Sequence, residues 1–122
     1  MAGGNLIAES VRVGASLGGV SLRVEKVTRV QAGDESAGQP AIWTFIAFEV
    51  EDQLADSLAR ALSEALDPVG GWYCDFRTAE DTFVVFAGRT FRYRRGDAEA
   101  RARAEDYALS VGVPQSQLDW SE

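Results

Sequence analysis

The sequence predicts one α+β domain spanning residues 1–122, with a mainly antiparallel sheet of about five to six strands and two helices packed on one face. Three observations predict this class. The chain has the length of a single domain, several segments alternate apolar and polar residues, and two others repeat apolar residues every three or four positions. The expected order of elements is β-β-β-α-β-β-α.

The amino-terminal third is predicted to contain the first two strands. Residues 1–9 are expected to form a loose leader, and residues 11–13 begin a strand that turns at the glycine pair 18–19. Residues 20–30 then alternate, but Lys26 falls where an apolar residue is due. This change of phase predicts a β-bulge in the second strand.

The third strand is predicted to be apolar on both of its faces. It covers residues 41–50 and follows a polar, glycine-containing loop at residues 31–40, and residues 82–87 form another strand of the same kind. Two helices on one side of the sheet leave its other side uncovered. Trp43 and Phe45 therefore need cover from the amino-terminal hairpin, the loop, a ligand or a second subunit.

The two helices are predicted from their apolar spacing and their ends. The first is expected over residues 52–66, where leucines recur every four positions and Asp52 is placed to cap the first turn. The second begins after Asp97, another capping residue, and ends before Gly112. The segment that follows is expected to fold back onto the body through Trp120.

The charge balance narrows the classes of partner. Twelve basic and nineteen acidic residues give a net charge of −7 and an isoelectric point near 4.6. This charge disfavours nucleic acid and anionic membranes, and it suits a soluble protein or one whose partner is basic. Neither a long apolar stretch nor a signal peptide is apparent, so a cytoplasmic location is expected.

The chain lacks the residues that most catalytic and metal sites require. It has no histidine and a single cysteine, Cys74, which argues against Ser-His-Asp and Cys-His catalysis and against zinc. No catalytic residue, metal or cofactor is therefore predicted. Cys74 shares its alternation phase with Trp72 and Phe76, which favours a buried, unreactive thiol on an apolar face.

Tyr73, Asp75 and Arg77 alternate outward from one predicted strand, and Arg92 comes from a nearby one. The simpler interpretation is a set of cross-strand salt bridges. The alternative is an anion-binding face on which arginines grip a carboxylate or phosphate. The candidate interaction residues are Trp43, Phe45, Trp72, Tyr73, Asp75, Arg77 and Arg92.

Three segments carry a resemblance to a known family. They are GWYCDFR at residues 71–77, TFVVFAGRTFRY at residues 82–93 and GVPQSQLDW at residues 112–120. In these segments the chain resembles a family of small uncharacterised actinobacterial proteins without an established activity. The resemblance implies a self-contained cytoplasmic domain and assigns no catalytic residue.

Three hypotheses of function remain open. The first is a non-enzymatic protein-interaction domain that forms a homodimer through the second apolar face of its sheet. The second is an acidic inhibitor or immunity-type partner of a basic protein. The third is a binder of small molecules, anions among them, or an enzyme, with a pocket between sheet and helices lined by Trp43, Trp72, Tyr73 and Arg77.

Overall fold

A computed structural model describes residues 1–121, apart from the Ala37 side chain, and has the predicted α+β class. Its six strands form one sheet in the order β2-β3-β1-β4-β5-β6, and every neighbouring pair is antiparallel. The strands are β1 (Ala2–Ile7), β2 (Arg23–Gln31), β3 (Ile42–Val50), β4 (Cys74–Arg77), β5 (Asp81–Phe86) and β6 (Arg89–Arg94). The helices are α1 (Ala55–Ala65) and α2 (Ala98–Ser110).

The predicted loose leader at residues 1–9 is wrong, because this segment holds β1, a central strand of the sheet. Gly4 lies opposite Phe48 of β3 on one side and opposite Phe76 of β4 on the other. The side chains of Ala2 and Leu6 are buried in the core, one on each side of Gly4 along the strand. The glycines weaken the apolar alternation on which a strand prediction depends, but they let the neighbouring backbones approach closely.

The predicted strand at residues 11–13 is also wrong. Val11 makes one isolated bridge to Leu66, and Val13 is fully exposed. The segment between them and β2 is irregular and lays Leu17 and Leu22 against the core. The predicted change of phase in β2 is confirmed, since its register against β3 shifts between Val24 and Lys26.

The two helices lie on opposite faces of the sheet, which corrects the prediction that both pack on one face. Val84 and Val85 are adjacent in β5, point to opposite sides and are both fully buried. Val85 belongs to the cluster formed with α1, and Val84 to the cluster formed with α2. We call these sides the α1 face and the α2 face. Helices on both faces explain why β5 is apolar on both.

The ends of the helices agree with prediction for α2 and differ for α1. The Asp97 carboxylate accepts a hydrogen bond from the Ala100 amide at 3.1 Å, and Gly112 has the positive φ expected after a helix. Asp52 does not cap α1. It lies in a 3-10 turn before the helix, and its carboxylate is 3.3 Å from the amino group of Met1. In residues 1–121 no helix is long and apolar enough to cross a membrane.

Candidate functional site

A trough with a volume of about 300 Å³ opens on the α2 face, beside the helix. Asn5 and Ile7 of β1 line its floor, Phe45 of β3 lines one wall, and Tyr73 and Asp75 line the other. Neighbouring strands are about 4.8 Å apart, so the walls, which flank β1, stand about 10 Å from each other. α2 covers β5 and β6 but leaves this part of the face open.

The central strand β1 turns Gly3, Asn5 and Ile7 to this face, and Ile7 is the one large side chain among them. Gly3 has none, and Asn5 has a short one that is exposed to solvent. Asn5 pairs with Ala47 on β3 and with Asp75 on β4, so its neighbours in the sheet fix its position. Among the described residues, the Asn5 side chain has no hydrogen-bond partner. The floor is therefore low, rigid and polar at its centre.

One end of the trough is closed by a pair of tryptophans. The Trp43 ring lies 5.3 Å from the Trp72 ring and 5.9 Å from the Phe45 ring. The Trp43 indole N–H donates to the Pro40 carbonyl at 3.0 Å, which fixes the orientation of the ring. The prediction that Trp72 shares a face with Cys74 and Phe76 is wrong, because Trp72 contacts Trp43 on the α2 face. Trp72 precedes β4, and the chain turns at two glycines with positive φ just before it.

The carboxyl-terminal segment forms a further part of the wall, as the predicted return of Trp120 to the body implies. The Trp120 ring packs edge-on against Tyr73, with 5.3 Å between centroids, and its N–H donates to the Tyr93 hydroxyl at 2.8 Å. The Tyr73 hydroxyl donates to the Gln117 carbonyl. Gln117 also exchanges hydrogen bonds with the buried Gln39. These bonds join the 31–40 loop to the segment after α2.

Asp75 and Arg77 form an ion pair inside the trough, and each side chain is only about one-fifth exposed (23% and 20%). Burial raises the pKa of Asp75 and the Asp119 carboxylate adds to this, although Arg77 opposes both. Burial, Asp75 and Asp119 likewise raise the pKa of Tyr73. The Arg77 Nε is buried without a hydrogen-bond partner among the described residues. The trough is thus a partly desolvated site in which negative charge is already crowded.

The structure brings the candidate residues together in this trough, with the exception of Arg92. β5 separates β4 from β6, and Arg92 points to the α1 face. There its guanidinium binds Asp81 at 2.8 Å and Asp56 at 2.9 Å and lies 5.0 Å from the Phe83 ring centroid. The predicted grip of an anion by Arg77 and Arg92 together is therefore not formed.

Sequence reasoning missed the floor of the trough and part of its rim. Asn5 and Ile7 were assigned to the leader, although the apolar residues Ala2 and Leu6 are spaced as in a strand. Asp119 is not among the predicted site residues, because its position beside Tyr73 depends on a tertiary contact. Such contacts leave no local pattern in the sequence.

Cys74 lies on the opposite side of the sheet from the trough. Its side chain is buried in the cluster with α1, and its thiol donates to the Asn5 carbonyl at 3.4 Å. Burial raises the pKa of this thiol, and Asp75 raises it further. Such a thiol carries almost no thiolate at neutral pH, which agrees with the predicted unreactive role.

Metal ligands are not clustered in the described part of the chain: no group of three or more His, Cys, Asp or Glu side chains there is arranged to hold an ion. The polar groups that line the trough are the amides of Asn5 and Gln117, the Tyr73 hydroxyl, and the charged side chains of Asp75, Arg77 and Asp119. Comparison of the chain with protein-family models, curated proteins and solved structures finds no match.

Proposed function

We propose that this chain is a small-ligand-binding domain and that the trough over β1 is its site. The observation that carries the proposal is the exposure of Asn5 on a central strand. On this face α2 covers β5 and β6 and leaves β1 open. A polar group without a partner among the described residues therefore lies on the floor of the trough, in the middle of the sheet.

The size and lining of the trough support binding of a small molecule. A volume of about 300 Å³ is at the lower end of the range for small-molecule sites. Such sites combine aromatic walls with a few polar groups that fix orientation. The rings of Trp43, Phe45 and Tyr73 supply the walls, and Asn5 and Asp75 supply the polar groups.

The residues of the trough are better suited to binding a ligand than to catalysing a reaction. The chain has no histidine, and its only thiol faces α1. Proton transfer would fall to Tyr73 or Asp75. The pKa of Tyr73 is raised, which leaves its hydroxyl protonated and a poor general base at neutral pH.

Filling the floor of the trough tests this function. We expect Asn5→Phe to fold normally, because the side chain is exposed, and to lower the affinity for trough ligands about tenfold or more by occupying their space. The measurement is a fragment screen followed by amide chemical shifts. Wild-type shifts should concentrate on β1, β3 and β4.

A matched control adds the same ring elsewhere. Ala102→Phe places a phenyl group on the exposed side of α2 and should leave fragment binding unchanged. The proposal fails if fragments bind Asn5→Phe as tightly as wild type, or if the shifts map to another surface.

We infer self-association through β2 as a second candidate function, because β2 is an edge strand with exposed apolar side chains. Val24, Val27 and Ile42 are 56%, 58% and 48% exposed and share the α1 face beyond the helix. β2 also carries charges of both signs, such as Glu25 and Arg29, so an antiparallel second copy of the strand can place opposite charges across the new strand pair. This surface differs from the second sheet face predicted from the sequence, which α2 covers over β5 and β6.

The mass in solution tests this second function. Wild type should show the mass of two chains at high micromolar concentration by light scattering. Val27→Lys should show the mass of one chain, because a buried lysine in the interface is unfavourable. Val13→Lys, at a fully exposed valine outside the patch, is the control and should leave the mass unchanged. A wild-type mass of one chain throughout would exclude this function.

A further inference from the structure

The trough is lined by more carboxylates than cationic groups. Of the charged residues that line it in the described chain, Asp75 and Asp119 are carboxylates and Arg77 is a cation. The Arg77 guanidinium and the Asp75 carboxylate neutralise each other, which leaves the charge of Asp119 uncompensated among the lining residues. The Asp119 carboxylate is 3.5 Å from the Tyr73 hydroxyl and stands at the rim. An entering ligand therefore meets excess negative charge.

The walls of the trough are aromatic on several sides. All three tryptophans of the chain line it and are more than nine-tenths buried, whereas Phe45 and Tyr73 are partly exposed to the trough. The faces of such rings attract cations, most strongly where water is excluded. The same interaction already exists behind the wall, where the Arg101 guanidinium lies 4.6 Å from the Trp120 ring centroid.

We propose that the trough binds a small organic cation, with an alkylammonium group held between the aromatic walls and the carboxylates of Asp75 and Asp119. This inference rests on the proposed function and names its ligand class. The methyl or methylene groups contact the rings, and the positive charge offsets the carboxylates. An alkylammonium headgroup is small enough for a volume of about 300 Å³.

The electrostatics of the trough favour a cation over an anion. Asp75 and Asp119 raise the pKa of Tyr73, and Asp119 raises that of Asp75, so the site already disfavours added negative charge. A cation relieves this repulsion. An anion could accept only from the Arg77 donors that Asp75 does not use, such as Nε, and it would do so against the repulsion of the Asp75 and Asp119 carboxylates.

Three probes of nearly equal shape test the sign of the charge directly. Choline is the cation, 3,3-dimethyl-1-butanol is its neutral analogue, and 3,3-dimethylbutanoate is an anionic one. Binding is followed by tryptophan fluorescence and by calorimetry on the full chain. We expect choline to bind about tenfold or more tightly than the alcohol, and the carboxylate to bind most weakly.

Variants assign the preference to the trough. Asp75→Asn and Asp119→Asn should each weaken choline binding several-fold while leaving the alcohol unchanged. Asp106→Asn is the control, because it removes the same charge from an exposed position on α2. Asp119 is exposed, so its variant keeps the test readable if Asp75→Asn does not fold.

Further measurements identify the source of the cation and show which results would contradict the proposal. A peptide with one trimethyllysine that binds more tightly than choline would indicate a protein side chain as the natural ligand, and the reverse would indicate a free metabolite. Equal affinity for choline and the alcohol, tighter binding of the carboxylate, or no binding of choline would overturn the cation proposal. The fragment screen with Asn5→Phe reports on the trough independently of these results.

Discussion

Gly4→Ala is expected to lower the free energy of unfolding by about 3 kcal/mol or more. A methyl group on Gly4 would lie 2.3 Å from the Asp75 carbonyl oxygen and 2.7 Å from the Phe76 Cβ. The carbonyl belongs to the backbone of β4, so no rotamer change can relieve the clash. The strand pair β1–β4 would have to separate in the middle of the sheet.

The neighbouring glycine provides the control for this experiment. In Gly3→Ala the new Cβ would lie 3.5 Å from the Phe48 carbonyl oxygen, an ordinary contact, so stability should stay within about 1 kcal/mol of wild type. Chemical denaturation followed by fluorescence gives both values. Equal stabilities for the two variants would mean that β1 is not packed against β4 as the structure describes.

Phe76→Ala is expected to lower the free energy of unfolding by about 3–5 kcal/mol, since it removes a large side chain from the centre of the core. Phe76 is fully buried and stacks on Phe83, with 4.7 Å between ring centroids and 7° between planes. It also meets the edge of Phe48 at 6.1 Å. The cavity would lie between the sheet and α1, where rigid strands limit collapse.

Phe45→Ala separates stability from binding on the other face of the same sheet. Phe45 is partly exposed in the trough wall, so its loss should cost clearly less stability than the loss of Phe76. The same change removes an aromatic face and should weaken trough ligands. Thermal unfolding and fragment binding of both variants measure this contrast. A larger stability loss for Phe45→Ala than for Phe76→Ala would contradict the assignment of core and site.

Much of the fold could be predicted because local patterns determine it. The apolar spacing of α1, the Asp97 cap of α2 and the phase change at Lys26 are all properties of neighbouring residues. The side on which a helix packs is not a local property. The apolar pairs of β5 required cover on both faces, and that cover is divided between the two helices.

The part of the candidate site that lies on one strand could be predicted. The part formed by segments distant in sequence could not. Tyr73, Asp75 and Arg77 share a face by alternation, and the structure keeps them together. The prediction that Arg92 belongs to the same site requires β4 and β6 to be neighbours. In the sheet β5 lies between them. The floor at Asn5 was not predicted, because Gly3 and Gly4 interrupt the alternation of apolar and polar residues by which a strand is recognised.

The position of β1 also bears on how the chain folds. β2 and β3 form one hairpin, and β4, β5 and β6 form a meander, so each group can assemble from segments close in sequence. β1 joins the two, through partners as far along the chain as Phe48 and Phe76. Contacts of such long range are slow to form, because the intervening chain must first lose its freedom. β1 is therefore the element through which two local units become one sheet, and the same strand supplies the floor of the trough.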